Sequence, residues 1–253
     1  MKRFSLLFIV SLLMSYSFTA RAQVFPRGDT NQNGSVDISD VTCLINYLLN
    51  GTWPDDHEWV DLGLPSGTLW ATCNVGADRP GDFGDYFAWG ETAPKDSYSW
   101  ENYMWCYGYS STLTKYCTNS SFGYNGFVDN KAELDPVDDA AYVNWGPSWR
   151  MPTYDQLEEL RTQCTWTWRI KDGSYGHLIT GPNGNSIFLP AAGYRESEYI
   201  NYTDTWGDYW TRELAPGYSN LARYLYLGEQ LIGWDGSNRI NGYTVRPVRL
   251  TQN

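Results

Sequence analysis

The chain has 253 residues, 18 basic against 29 acidic side chains, and a net charge of −11. An acidic balance of that size repels phosphate backbones and anionic lipid surfaces, which excludes nucleic acid as a partner class. There are 13 Trp and 20 Tyr beside only 2 His, His57 and His177, so little material exists for histidine acid–base chemistry or a zinc site.

In chain order, Lys2 and Arg3, the apolar run Phe4 to Phe18 and the small-x-small stretch Ala20-Arg21-Ala22 predict a secretory signal peptide over residues 1–22. The run falls short of the roughly 20 residues that span a bilayer, and no later stretch is apolar enough to do so. The expectation is an exported chain, secreted and extracellular, on the cell surface or periplasmic, without membrane insertion.

Residues 28–40 read Gly-Asp-Thr-Asn-Gln-Asn-Gly-Ser-Val-Asp-Ile-Ser-Asp. Calcium takes six to eight hard oxygens, and an EF-hand-type loop offers them at positions 1, 3, 5, 7, 9 and 12, with glycine at 6. Here those positions hold Asp29, Asn31, Asn33, Ser35 through its carbonyl, Asp37 directly or through water, and Asp40, with Gly34 at the turn. Ile38 to Asn50 then carries apolar residues at helical spacing, and Gly51 and Pro54 stop it. The loop, its Asp40 in the twelfth position and the Tyr47-Leu48-Leu49 helix end resemble a type I dockerin repeat. That resemblance implies a Ca2+ cofactor and a cohesin partner. Dockerins that bind cohesins carry two such repeats, whereas one is found at 23–51, so a purely structural calcium staple stays open beside cohesin docking.

A short polar linker, 52–57, leads to a second region, 58–250. Pro and Gly punctuate it closely, and between them lie short β-rich runs such as Trp59 to Leu62, Ser186 to Leu189 and Tyr224 to Leu227. Two helices are predicted: Thr153 to Gln163, opened by a Thr-x-x-Gln capping box with Leu157 and Leu160 facing a core, and Asp138 to Asn144. The fold class expected is α+β, with short strands, long loops and these two helices. Five cysteines leave at least one thiol free, for which Cys43 is expected. Cys106 and Cys117 flank a Gly/Ser/Thr-rich turn and are expected to form a disulfide, with Cys73 and Cys164 as the remainder.

The segments Trp59 to Ala71, Asp85 to Glu91, Trp149 to Thr153, Leu189 to Arg195 and Val245 to Val248 resemble the Fibrobacter succinogenes major paralogous domain, a family of secreted bacterial proteins. That family is similar in turn to sulfatase-modifying-factor domains, so the resemblance implies a C-type-lectin-like fold over 58–250. The formylglycine-generating enzymes of that wider fold use cysteines in a C-terminal context, and this chain has none beyond Cys164. Gly-x-Ser-x-Gly, His-Glu-x-x-His and P-loop patterns are likewise missing from the sequence. Glu91, Glu196, Glu198 and Asp208 are candidates for a glycosidase pair, but their spacing does not single any out.

The expectation is a non-catalytic recognition protein. Lectin-like folds display a loop-rich C-terminal surface, and here Tyr209 and Trp210 look like framework. The candidate ligand face is Arg212, Tyr218, Asn220, Arg223, Tyr224, Tyr226, Gln230, Trp234 and Asp235, together with Glu213 and Arg239, a mix of rigid aromatic area and adaptable polar groups. A glycan or a protein would be its ligand. Arg246, beside Pro247, is expected to be buried and paired with a carboxylate, with Glu91 the partner in view. The competing expectations are a carbohydrate-active enzyme or cohesin-docked subunit of a polysaccharide-degrading system, and a structural subunit of a surface assembly.

Overall fold

The computed structural model describes Val41 and residues 57–250. The predicted signal peptide, the calcium ligands Asp29, Asn31, Asn33, Ser35, Asp37 and Asp40, and Cys43 lie outside the described residues. The chain divides into two units, Met1–Asp56 and His57–Asn253.

The second unit is mostly sheet, with two α-helices among the described residues. Strands β1 (Trp59–Asp61) and β2 (Thr68–Ala71) come first. After a long irregular stretch with three single 3-10 turns come helices α1 (Ala140–Trp145) and α2 (Tyr154–Gln163). The remaining strands are β3 (Thr165–Lys171), β4 (Ser174–Thr180), β5 (Ser186–Pro190), β6 (Tyr194–Glu196), β7 (Tyr199–Asn201), β8 (Trp206–Ala215), β9 (Tyr218–Gly228), β10 (Ile232–Asn238) and β11 (Val248–Leu250). They form three antiparallel three-stranded sheets, ordered β1-β2-β11, β3-β4-β5 and β10-β9-β8, and the hairpin β6-β7. No helix of the described residues is long and apolar enough to cross a membrane.

Local chemistry explains the elements that the sequence predicts. The Thr153 hydroxyl accepts from Gln156 N at 3.1 Å, and Thr153 N donates back to Gln156 Oε1 at 2.9 Å, which closes the capping box of α2. Tyr154 N also donates to Glu213, an acid placed at the positive helix end. Leu157 and Leu160 are fully buried. The other helix begins later than expected, at Ala140, because Asp139 stays extended as its N-cap and accepts from Ala141 N and Tyr142 N. Pro216-Gly217 joins β8 to β9 in a two-residue turn, with Gly217 supplying the φ of 82° that a side chain disfavours.

The sheet β8-β9-β10 is the central wall. Tyr209, Leu225 and Leu227 face a core shared with Leu157, Leu160 and Leu189, while Trp210 and Ala222 face a second core with Trp89, Trp149 and Tyr243. Adjacent residues of one strand thus enter opposite cores, as strand alternation requires. The irregular stretch before α1 is stitched by buried polar groups. Asp139, with no exposed surface, also accepts from Met151 N. Arg239 is fully buried among Trp89, Tyr103 and Tyr116, and donates to Tyr103 Oη and to the carbonyls of Lys115, Tyr116 and Ser219.

Two expectations are corrected here. The Cys106–Cys117 disulfide is not formed: Cys73, Cys106, Cys117 and Cys164 are all free thiols. The turn after Cys106 closes by pairing it with Leu113, so Cys117 falls beyond the hairpin. The two sulfhydryls address different carbonyls, of Trp100 and of Asn119, each at 3.2 Å. Alkylation of unfolded, unreduced protein is expected to label all four cysteines, and a mass two hydrogens short on the peptides spanning 106 and 117 would contradict this. The second correction concerns Arg246. It is fully buried as expected, but Glu91 pairs with Lys95 at 2.8 Å instead. Arg246 donates to Asn74 Oδ1 and to the carbonyls of Ala71, Thr72 and Phe188.

Candidate ligand-binding site

The predicted ligand face does not stay together. Arg223 and Trp234 point to the helix side of the central sheet. The Arg223 guanidinium sits 4.1 Å from the Tyr154 ring centroid, and Trp234 Nε1 donates to Glu158 Oε2 at 2.7 Å. These two residues pin α2 to the sheet. Arg212 forms an ion pair with Glu133, Glu213 caps α2, and Arg239 is a buried core residue. Tyr218 is exposed near the Pro216-Gly217 turn, and Gln230 is exposed in the turn between β9 and β10. Asn220, half-buried, keeps its Oδ1 enclosed without a hydrogen-bond partner.

Tyr224, Tyr226 and Asp235 share the other face, and there a group that sequence reasoning left undistinguished joins them. Asp208 on β8 stands directly opposite Tyr226 on β9, as Trp210 stands opposite Tyr224, and Asp235 on β10 stands opposite Tyr224 from the far side. Directly opposed residues of an antiparallel pair project from the same face. The rings form a row around Asp208. Centroid separations are 5.9 Å for Tyr202–Tyr194, 5.8 Å for Tyr194–Tyr243, 4.8 Å for Tyr243–Tyr224, 6.3 Å for Tyr224–Tyr226 and 6.2 Å for Tyr226–Trp206. Gly233 makes room on β10, because a Cβ there would lie 2.4 Å from the Tyr226 hydroxyl.

The electrostatics of Asp208 set it apart. It is 6% exposed, and its carboxylate has neither a hydrogen bond nor an ion pair among the described residues. Burial alone pushes its pKa up to about 7. Its charge adds to the burial that raises the Tyr224 and Tyr243 hydroxyls, and it also bears on Tyr194. Among the described residues, fully enclosed polar atoms without a partner include Trp70 Nε1, His177 Nδ1 and Asn220 Oδ1. The Asp208 oxygens are not among them and so keep a narrow contact with solvent. The backbone beneath is fixed: Thr244 donates to the Asp208 carbonyl through its N and its hydroxyl, at 3.2 and 3.0 Å.

The remaining acid candidates are ordinary by comparison. Glu91 is buried but neutralised by Lys95 and Met104 N, while Glu196 and Glu198 are exposed. The signal that distinguishes Asp208 was in the sequence. In Trp206-x-Asp208-x-Trp210, strand alternation puts an acid between two tryptophans on one face, a pattern error unless it serves a function.

Among the described residues no group of three or more His, Cys, Asp or Glu is arranged to hold a metal ion. Fold and site together define an α+β unit with short strands, carrying an acid-centred aromatic face on its C-terminal sheet. No family model, no curated protein and no solved structure matches the chain.

Proposed function

We propose that the chain is an exported, non-catalytic recognition protein that binds a glycan or protein ligand through the Asp208 face of its C-terminal sheet. The lectin-like fold of the paralogous family, and a Ca2+-stapled repeat ahead of it that serves as a spacer or docks a cohesin, complete the reading. The signal-peptide pattern, the loop oxygens Asp29 to Asp40 and the family motifs support those parts. The observation that carries the binding reading is a buried carboxylate with no partner, ringed by aromatic side chains. Proteins do not retain an uncompensated charge in a core for stability, and perturbed acids cluster at functional sites.

A carbohydrate-active enzyme is the second reading, and one observation favours it: a carboxyl held protonated near neutrality suits a general acid. Its partner is wanting. Asp235 sits two strands away, about 10 Å by strand spacing and further by its offset in register, and its Oδ1 accepts from Gly236 N.

The test is a glycan and surface-protein binding array on the mature protein, with and without calcium, run beside hydrolysis assays on the same glycans. Binding is expected to fall at least about tenfold in Tyr226→Ala and to survive in Trp234→Phe, on the opposite face. Binding lost only in the Trp234 variant, or turnover of any glycan, would overturn the proposal.

A further inference from the structure

We propose that the Asp208 face takes a glycan bearing a free amine, its ammonium lodged against the Asp208 carboxylate and its pyranose rings lying on the neighbouring aromatic rings. This rests on the recognition reading above and names the ligand chemistry. The argument begins with what the site lacks. A carboxylate 6% exposed is ordinarily compensated by a cation or by donors, and Asp208 has neither. A proton satisfies the group in its neutral form; once ionised, the partner it lacks is a cation from outside the chain. A neutral hydroxyl would supply one hydrogen bond but would leave the charge uncompensated.

The surroundings suit a cation. Tyr194, Tyr224 and Tyr243 all lie within electrostatic reach of Asp208, and tyrosine ring faces attract ammonium groups. The groups that bear on the site from the packed elements are those tyrosines, Asp235 on β10 and Glu196 on β6, all neutral or negative. The basic side chain nearest in sequence, Arg212, is engaged by Glu133, and Arg195, beside Tyr194, is turned away and donates to the Lys95 carbonyl at 3.2 Å. The chain's net charge of −11 draws cationic ligands from a distance. A sugar fits better than a lysine side chain because the row continues past the acid on both sides, to Tyr202 and to Trp206. Tyr243, in the middle of the row, is buried against Trp210, but Tyr202 is exposed and Tyr194, Tyr226 and Trp206 are half-buried. Ring surface for sugar stacking therefore lies on both sides of the acid, more than one alkyl chain needs.

The probes are a β-1,4-linked glucosamine tetrasaccharide, its fully N-acetylated counterpart and a tetralysine peptide, titrated calorimetrically into the mature protein. The free amine is expected to bind at least about tenfold more tightly than the acetylated form at pH 7. Because amine and carboxyl share one proton in the complex, that affinity is expected to fall on both sides of neutrality. Asp208→Asn, which keeps the shape and removes the charge, is expected to erase the preference. Equal binding of the acetylated sugar, an amine preference that survives in Asp208→Asn, or tetralysine binding as tightly as the sugar would each overturn the inference. A neutral ligand captured in the array and lost in Tyr226→Ala would remove the amine while leaving the recognition reading in place.

Discussion

Replacing Arg246 with Met is expected to cost about 4 kcal/mol of folding stability, a large share of the roughly 5–15 kcal/mol that holds a domain of this size. The guanidinium is fully buried and spends its donors on Asn74 Oδ1 at 2.8 Å and on the carbonyls of Ala71, Thr72 and Phe188 at 2.9–3.0 Å. Ala71 ends β2 and Phe188 lies in β5, so one side chain ties two sheets together. Burial pulls its pKa below the ordinary arginine value, but the group stays charged at any pH a protein survives. Methionine fills much of the volume and leaves four acceptors facing apolar atoms. Lysine restores the charge but cannot reach four acceptors from one nitrogen, so it is expected to recover less than half of the loss. Urea unfolding of the three proteins checks this. A Met variant within 1 kcal/mol of the parent would show that water, not arginine, satisfies those carbonyls.

Asp208→Asn is expected to do the opposite and stabilise the fold at pH 8, by about 2 kcal/mol. The sign follows from proton counting. The folded carboxyl titrates near 7, against about 3.9 in an unfolded chain, so between those values the folded state holds a proton that the unfolded state has lost. Stability therefore falls as pH rises from about 4 to 7, by roughly 2–4 kcal/mol for a shift of that order, and is flat above. Asparagine removes this slope and retains a smaller cost for an unpartnered amide. Asp85, Asp139 and Glu213 also titrate high because of burial, and the buried His177 titrates low. These are common to both proteins, so the difference between the two stability–pH curves isolates Asp208. Its expected form is near zero at pH 4, growing to its full value by pH 8. A variant less stable than the parent at pH 8 would mean that the carboxylate is compensated after all. A gain in stability on losing the charge is what a site kept for binding, at the expense of the fold, entails.

How much of this was legible in the sequence depends on how far each feature reaches along the chain. The α2 helix was readable because its start signal, Thr153 and Gln156, lies within a single turn. The strand segments at 186–189 and 224–227 were readable because their composition is local. The four free cysteines were not, since pairing depends on where the turn after Cys106 closes, and Leu113 takes the position opposite it. The predicted ligand face divides between the two sides of the sheet for a similar reason. Trp234 and Asp235 are neighbours in sequence, yet only the register of β10 on β9 sends one to α2 and the other to the Asp208 side. The polar hubs Asp139, Arg239 and Arg246 recruit carbonyls from distant segments, so their roles emerge only once the chain is folded.

The most direct measurement is the titration of the Asp208 carboxyl carbon by NMR in the free protein, assigned by its loss in Asp208→Asn. A midpoint near 7 is the predicted result and marks a buried, unpartnered acid waiting for a ligand's charge. A midpoint near 4, the ordinary aspartate value, would mean that the group is already solvated or paired, and would remove the ground for placing the binding site on this face.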